Sequence, residues 1–334
     1  MTDCVVQRFA SAPALRRLHA ERLAGLLAGQ GLAGLALRVL RHRGDLAGLG
    51  SRPGRELAFA ADEAERRGSR AAEGAGRLLL DLRGRGIPAL PLKGADFFLR
   101  SGMDPSLRRM GDIDIIVPPG YRERAVAVLT ELGFRPPDRK FTSDFSRYHH
   151  AQPLEAEEYG GEVQVHDAFE AGAVEPEYLE AVFQRTNSAG PHLLLERADS
   201  AIFVAAHAAR HGFRAPLRVV FDLQLLLGDG DPLGADAVER AARCYGRVDA
   251  LLAFRLAAAL TSTVLGSPLP GVVLPFHPRR TMLLWACRHL AFSSARNRPA
   301  AKRLEELVRR QLHPYQRLER RIARLIRRLS HSRP

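Results

Sequence analysis

Leu and Ala recur at three- and four-residue steps, with Arg between them, over residues 13–47 and again over 56–84. That is the period of an amphipathic helix, so the first quarter of the chain is expected to be helical. Gly and Pro at 50–54 predict a break between the two stretches. From Arg83 the texture changes. RGRG reads as a turn, IPALPL as a short buried strand and KGADFFLRSG as a helix that opens at Gly94. In MGDIDIIVPP, Ile113, Ile115 and Val117 alternate with Asp112, Asp114 and Ile116, a period-2 strand ended by Pro118 and Pro119. YRERAVAVLTELGF predicts a helix closed by Gly133, and SDFSRYHHAQPL and GGEVQVHDAF predict two further strands. Helical periods return over 176–185, 197–211, 215–228, 234–245, 247–265 and 279–293, followed by a basic helical segment.

This order predicts an α+β fold: a small mixed sheet, with helices on one side, embedded in a mostly α-helical protein. The expected boundaries are an N-terminal helical region (1–84), a sheet-bearing core (85–190), a helical domain (191–295) and a basic helical tail (296–334). A chain of 334 residues, 46% of them hydrophobic, has material for more than one core.

Composition narrows the partners. The formal charge is +13, but Arg296 to Pro334 holds thirteen Lys or Arg against three acids, so the tail supplies about +10 of it. The rest is nearly balanced, which argues against a protein that binds nucleic acid over its whole surface. The tail itself could serve nucleic acid, an acidic membrane surface or an acidic protein partner. Tyr315 is its one aromatic residue, so platforms for stacking single-stranded bases are nearly missing. Cys4, Cys244 and Cys287 are too scattered for a zinc site or a disulfide framework, which fits a reducing, cytoplasmic setting. No stretch has the length of a membrane span, and the first residues lack a signal-peptide pattern.

The candidate chemistry sits in the central strand. Residues two apart share a face, so Asp112 and Asp114 place two carboxylates about 7 Å apart at one sheet edge. That spacing suits Mg2+, or Mn2+, held by oxygen ligands and bridged to a triphosphate. Lysine occurs at only three positions, and one of them, Lys93, stands with Gly94 at a strand-to-helix junction. Exposed amides and the helix dipole favour phosphate there, and lysine adds a point charge. The bland alternative is that Arg108 and Arg109 simply neutralise the two aspartates.

The run LPLKGADFFLRSGMDPSLRRMGDIDIIVPPGYRERAVAVLTELGF closely resembles the bacterial family of uncharacterised nucleotidyltransferases, similar in turn to the polymerase-beta-like superfamily. EVQVHDAF and ADSAIFVAAHAARHGFRAPLRVVFDLQLLL extend the likeness over roughly residues 65 to 265. The resemblance implies transfer of a nucleoside monophosphate from an NTP to a small molecule, peptide or protein. It implies a phosphate turn at Lys93 and Gly94, a basic position at Arg109, and metal carboxylates at Asp112 and Asp114. His166 is a candidate to orient phosphate or acceptor, although a lone histidine on a strand more often makes a structural hydrogen bond. The resemblance also implies a third carboxylate two residues before His166, where this chain has Gln164. An amide cannot act as a general base. Glu162, two residues earlier on the same face, is the expected substitute, whereas Asp167 faces the other way. A catalytically impaired nucleotide-binding protein is the alternative that Gln164 raises.

His207 and His211, four apart on one helical face, have a metal-chelating spacing, although packing within the helical region is the simpler expectation. Arg218 and Asp222 share the i, i+4 relation and predict an intrahelical ion pair.

Overall fold

The computed structural model describes residues 2–138, 151–169, 176–228, 233–243 and 250–267, with single positions 269, 284, 287, 302–303 and 305–307 beyond them. Most of the helix expected at 279–293, most of the strand expected at 143–154 and nearly all of the basic tail lie outside the described residues.

Four helices open the chain: α1 (Thr2–Ser11), α2 (Pro13–Arg16), α3 (Ala20–Ala28) and α4 (Ala33–Arg43). The α5 helix (Ser51–Gly84) follows and, at about 1.5 Å per residue, spans roughly 50 Å. The expected break at 50–54 proves to be its first turn. Pro53 sits where the backbone N–H has no intrahelical acceptor, so proline costs nothing there. The buried stripe of α5 runs Leu57, Ala61, Ala64, Gly68, Ala71, Ala75, Leu78 and Leu82, steps of three and four that keep one face inward.

After β1 (Leu90–Pro91) come α6 (Lys93–Ser101), β2 (Asp112–Ile116), α7 (Arg122–Glu131), β3 (Leu154–Ala156) and β4 (Gly161–His166). The sheet order is β1-β2-β4-β3, antiparallel at both edges and parallel between β2 and β4. Asp112 lies opposite Glu162, Asp114 opposite Gln164 and Ile116 opposite His166. β2 is therefore an interior strand rather than an edge.

The remaining described elements are α8 (Pro176–Gln184), a hairpin of β5 (Asn187–Ala189) and β6 (His192–Leu194), then α9 (Arg197–Arg210), α10 (Pro216–Leu227), α11 (Ala235–Arg243) and α12 (Ala250–Leu265). The hairpin was not expected, since three-residue strands are too short to show a period.

Helices cover both faces of the sheet, not one. Ile113, Ile115, Val163 and Val165 pack with the C-terminal half of α5 and with Ala125, Val128 and Leu129 of α7. The opposite face, carrying Asp112, Asp114 and Ile116, turns toward the larger core, in which the N-terminal helices and α9, α10 and α12 are joined. Among the described residues no helix is long and apolar enough to cross a membrane.

Candidate active site

The sheet's alternation decides which side chains meet. On β2, Asp112 and Asp114 share one face because Ile113 and Ile115 fill the apolar core behind. On β4, Glu162, Gln164 and His166 take the same face in parallel register. The Gln164 amide lies between two acids, Nε2 donating to Asp112 Oδ2 at 3.3 Å and to Glu162 Oε1 at 3.2 Å. One strand position further along, His166 Nε2 donates to Asp114 Oδ1 at 2.9 Å.

The helix beside the sheet supplies the cation. Leu92 N donates to Asp114 O at 2.9 Å, which ties the chain entering α6 to β2. Lys93 then opens α6 with φ +52°, a left-handed conformation that costs a non-glycine residue about 1 kcal/mol. The bend brings Lys93 Nζ within 2.9 Å of Asp114 Oδ2. Burial opposes ionisation of Asp114, but Lys93 and His166 together hold its carboxyl well below the usual range. Asp112 moves the other way: the charge of Asp114, then burial, push it up to about 6.

Gly94 also has a packing task. A Cβ there would come within 2.7 Å of Met110 Sδ and 2.9 Å of Arg108 Nη1, so its hydrogen makes room for the segment that leads into β2. Arg108 is buried over the Phe97 ring at 5.2 Å and donates through Nε (2.6 Å) and Nη2 (3.1 Å) to the two oxygens of Asp222. The intrahelical Arg218–Asp222 pair expected from spacing is replaced by this tertiary one. Arg218 instead donates from Nη2 to the Arg109 carbonyl at 2.9 Å. Arg108 beside it, together with burial, pushes its pKa down to about 10.

A cleft of about 360 Å³ opens here, with Lys93, Arg108, Asp112, His207, His211 and Arg218 in its walls. That is within the range of small-molecule sites. The His207 and His211 rings lie 4.6 Å apart, and burial, helped by Lys93, pushes the His207 pKa well below its ordinary value, leaving a neutral imidazole.

The family described as uncharacterised nucleotidyltransferase matches residues 17–262. The chain belongs to that family. No curated protein and no solved structure matches.

The match reaches further toward the N-terminus than the resemblance over 65 to 265, and the packing explains why. Gly31 O, between α3 and α4, accepts the Arg109 N–H at 2.8 Å, and Gln30 Oε1 accepts the Leu217 N–H at 2.8 Å in the first turn of α10. The N-terminal helices of this family member thus brace the loop that carries Arg108 and Arg109.

Of the residues singled out from sequence, Lys93, Asp112, Asp114, Glu162 and His166 are brought together. Gly94 stands at the same junction. Arg109 is exposed and touches the group through its backbone, while Asp167 pairs with Arg122 at 3.2 Å outside it. Neither arginine before β2 pairs with Asp112 or Asp114, so the bland alternative fails on geometry. Sequence reasoning assigned His207 and His211 to packing and missed their place in the cleft wall. Their helical spacing was the available signal, but nothing local says which side of α9 faces the sheet.

Proposed function

We propose that this protein transfers a nucleoside monophosphate from an NTP to a hydroxyl or similar group on a small molecule, peptide or protein. The observation that carries the reading is the pair Asp112 and Asp114 on one sheet face, reached by Lys93 from a helix start, at a cleft lined by guanidinium groups. Membership of a nucleotidyltransferase family supports it.

The donor set fits a hard divalent cation, Mg2+ or Mn2+. Two carboxylates stand so close that one raises the pKa of the other to about 6, a repulsion that a bound cation relieves. Asp112 and Asp114 would hold it, and when bound it would offset charge on the phosphate under transfer. Among the described residues no three acids, histidines or cysteines are grouped to hold a metal, so the other oxygen ligands would have to come from phosphate and water. In this reading Lys93 and the Gly94 amide grip phosphate, Arg109 adds positive charge at the rim, and His166 keeps Asp114 ionised and oriented. Glu162 takes the proton from the attacking hydroxyl.

A second reading rests on Gln164. Its amide donates to both Asp112 and Glu162, filling the place of an acid. A protein that binds NTP without turning it over fits that contact as well.

The deciding experiment incubates the chain with each labelled NTP, Mg2+ and cell extract, and follows labelled product and pyrophosphate. Transfer is expected for the unmodified chain and should vanish in Asp112→Ala and Asp114→Ala. Label transfer that survives in both variants would end the metal-carboxylate reading, whereas NTP binding without pyrophosphate release selects the second reading.

A further inference from the structure

The cleft's cations differ in what they already hold. Lys93 is paired with Asp114, Arg108 with Asp222, and Arg214 with Glu305 at 3.0 Å. Among the described residues, no carboxylate is ion-paired with Arg218. It spends one donor on the Arg109 carbonyl, and the remaining donors of its planar fork are left for a ligand. It also lies beside Arg108, a like charge whose own partner is fully engaged.

Such a group is costly in isolation. A guanidinium crowded by another and partly withdrawn from water is stabilised when an anion arrives. Its lowered pKa, about 10, still leaves it charged at neutral pH. Asp112 lines the same cleft.

We infer that Arg218 is a phosphate-binding residue of this site, contacting the NTP's phosphate chain with its free donors while its bond to the Arg109 carbonyl fixes the guanidinium. This deepens the nucleotidyltransferase reading and rests on it. The chemistry required is a phosphate oxyanion array, which a planar fork grips in two places. Because α10 is anchored to Gln30 and, through Asp222, to Arg108, the guanidinium is presented from a fixed element.

The test measures binding of inorganic tripolyphosphate and of each of the four NTPs, with Mg2+, to the full chain and to Arg218→Gln and Arg218→Ala, alongside thermal unfolding. Glutamine keeps a polar N–H donor on a side chain two bonds shorter and removes the charge. The expected result is that tripolyphosphate and the preferred NTP both weaken about ten- to a hundredfold in Arg218→Gln, with the unfolding midpoint unchanged. Equal affinity for both ligands in the Gln variant and the unmodified chain would overturn the inference while leaving the transferase reading standing. Weakening in Arg218→Ala alone, accompanied by lower thermal stability, would also overturn it, since Arg218 would then act only by holding the loop. Failure of the unmodified chain to bind any NTP or tripolyphosphate would remove both readings together.

Discussion

Lys93 Nζ lies 2.9 Å from Asp114 Oδ2, and the lysine reaches it from a left-handed backbone conformation. Strain in the chain and a buried ion pair are thus opposed at a single residue. The two contributions can be separated by substitution. Lys93→Ala removes the cation from a buried carboxylate and is expected to destabilise the fold by about 3 kcal/mol. Lys93→Gly removes the same cation but relaxes φ +52°, so it should cost about 1 kcal/mol less. Chemical denaturation of the two variants checks the order. Equal losses would mean that the backbone at Lys93 is unstrained.

Asp112 gives a pH dependence. The charge of Asp114 and burial push the Asp112 carboxyl up to about 6 from the 3.8 of an ordinary aspartate, so between those limits the folded state binds the proton more tightly. Stability contributed by that proton is present at low pH and lost as pH rises through the window. In metal-free protein, Asp112→Asn should therefore match the unmodified chain below about pH 4 and exceed it by up to about 3 kcal/mol at pH 7. Adding Mg2+ should stabilise the unmodified chain and leave the variant unmoved. A constant difference across pH, seen by urea denaturation, would contradict the assignment.

Gln164→Glu tests the vacant acid. The change replaces a donor to Asp112 and Glu162 by a third negative charge, so metal-free stability should fall by about 2–4 kcal/mol. Mg2+ should recover most of that loss, and pyrophosphate release should rise above that of the unmodified chain. Thermal unfolding with and without Mg2+, and a pyrophosphate assay, report the two effects.

Gly94→Ala would drive a methyl into Met110 and Arg108, with an expected cost of about 1–3 kcal/mol. Shortening the obstacle by Met110→Ala in the same chain should return part of it, because the two sites share one space. Fully additive losses in a double-mutant cycle would show that the crowding at Gly94 lies elsewhere.

Much of the arrangement follows from periodicity. Alternation in DIDII placed Asp112 and Asp114 on one face, and the parallel register with EVQVH then set Glu162 and Gln164 beside them. Helices α9, α10 and α12 were visible because long periodic runs admit few alternatives. The β5–β6 hairpin was too short for a period to appear. The location of the α5 start was misread because proline breaks a helix interior but not a first turn. Arg218 and Asp222 were misassigned for a related reason: spacing within a helix records which side chains can meet, not which tertiary partner takes one of them first.

The sequence by itself determined the family, the mixed α and β character and the shared face of the two aspartates, since these depend on residue type and on repeats of two or three to four residues. Only the tertiary structure decided that Lys93 and His166, rather than Arg108 and Arg109, serve Asp114, and that among the described residues no carboxylate is ion-paired with Arg218. Ion pairs join residues more than a hundred positions apart, as Arg108 and Asp222 do, and their partners are chosen by the packing of helices against the sheet, which no local pattern encodes.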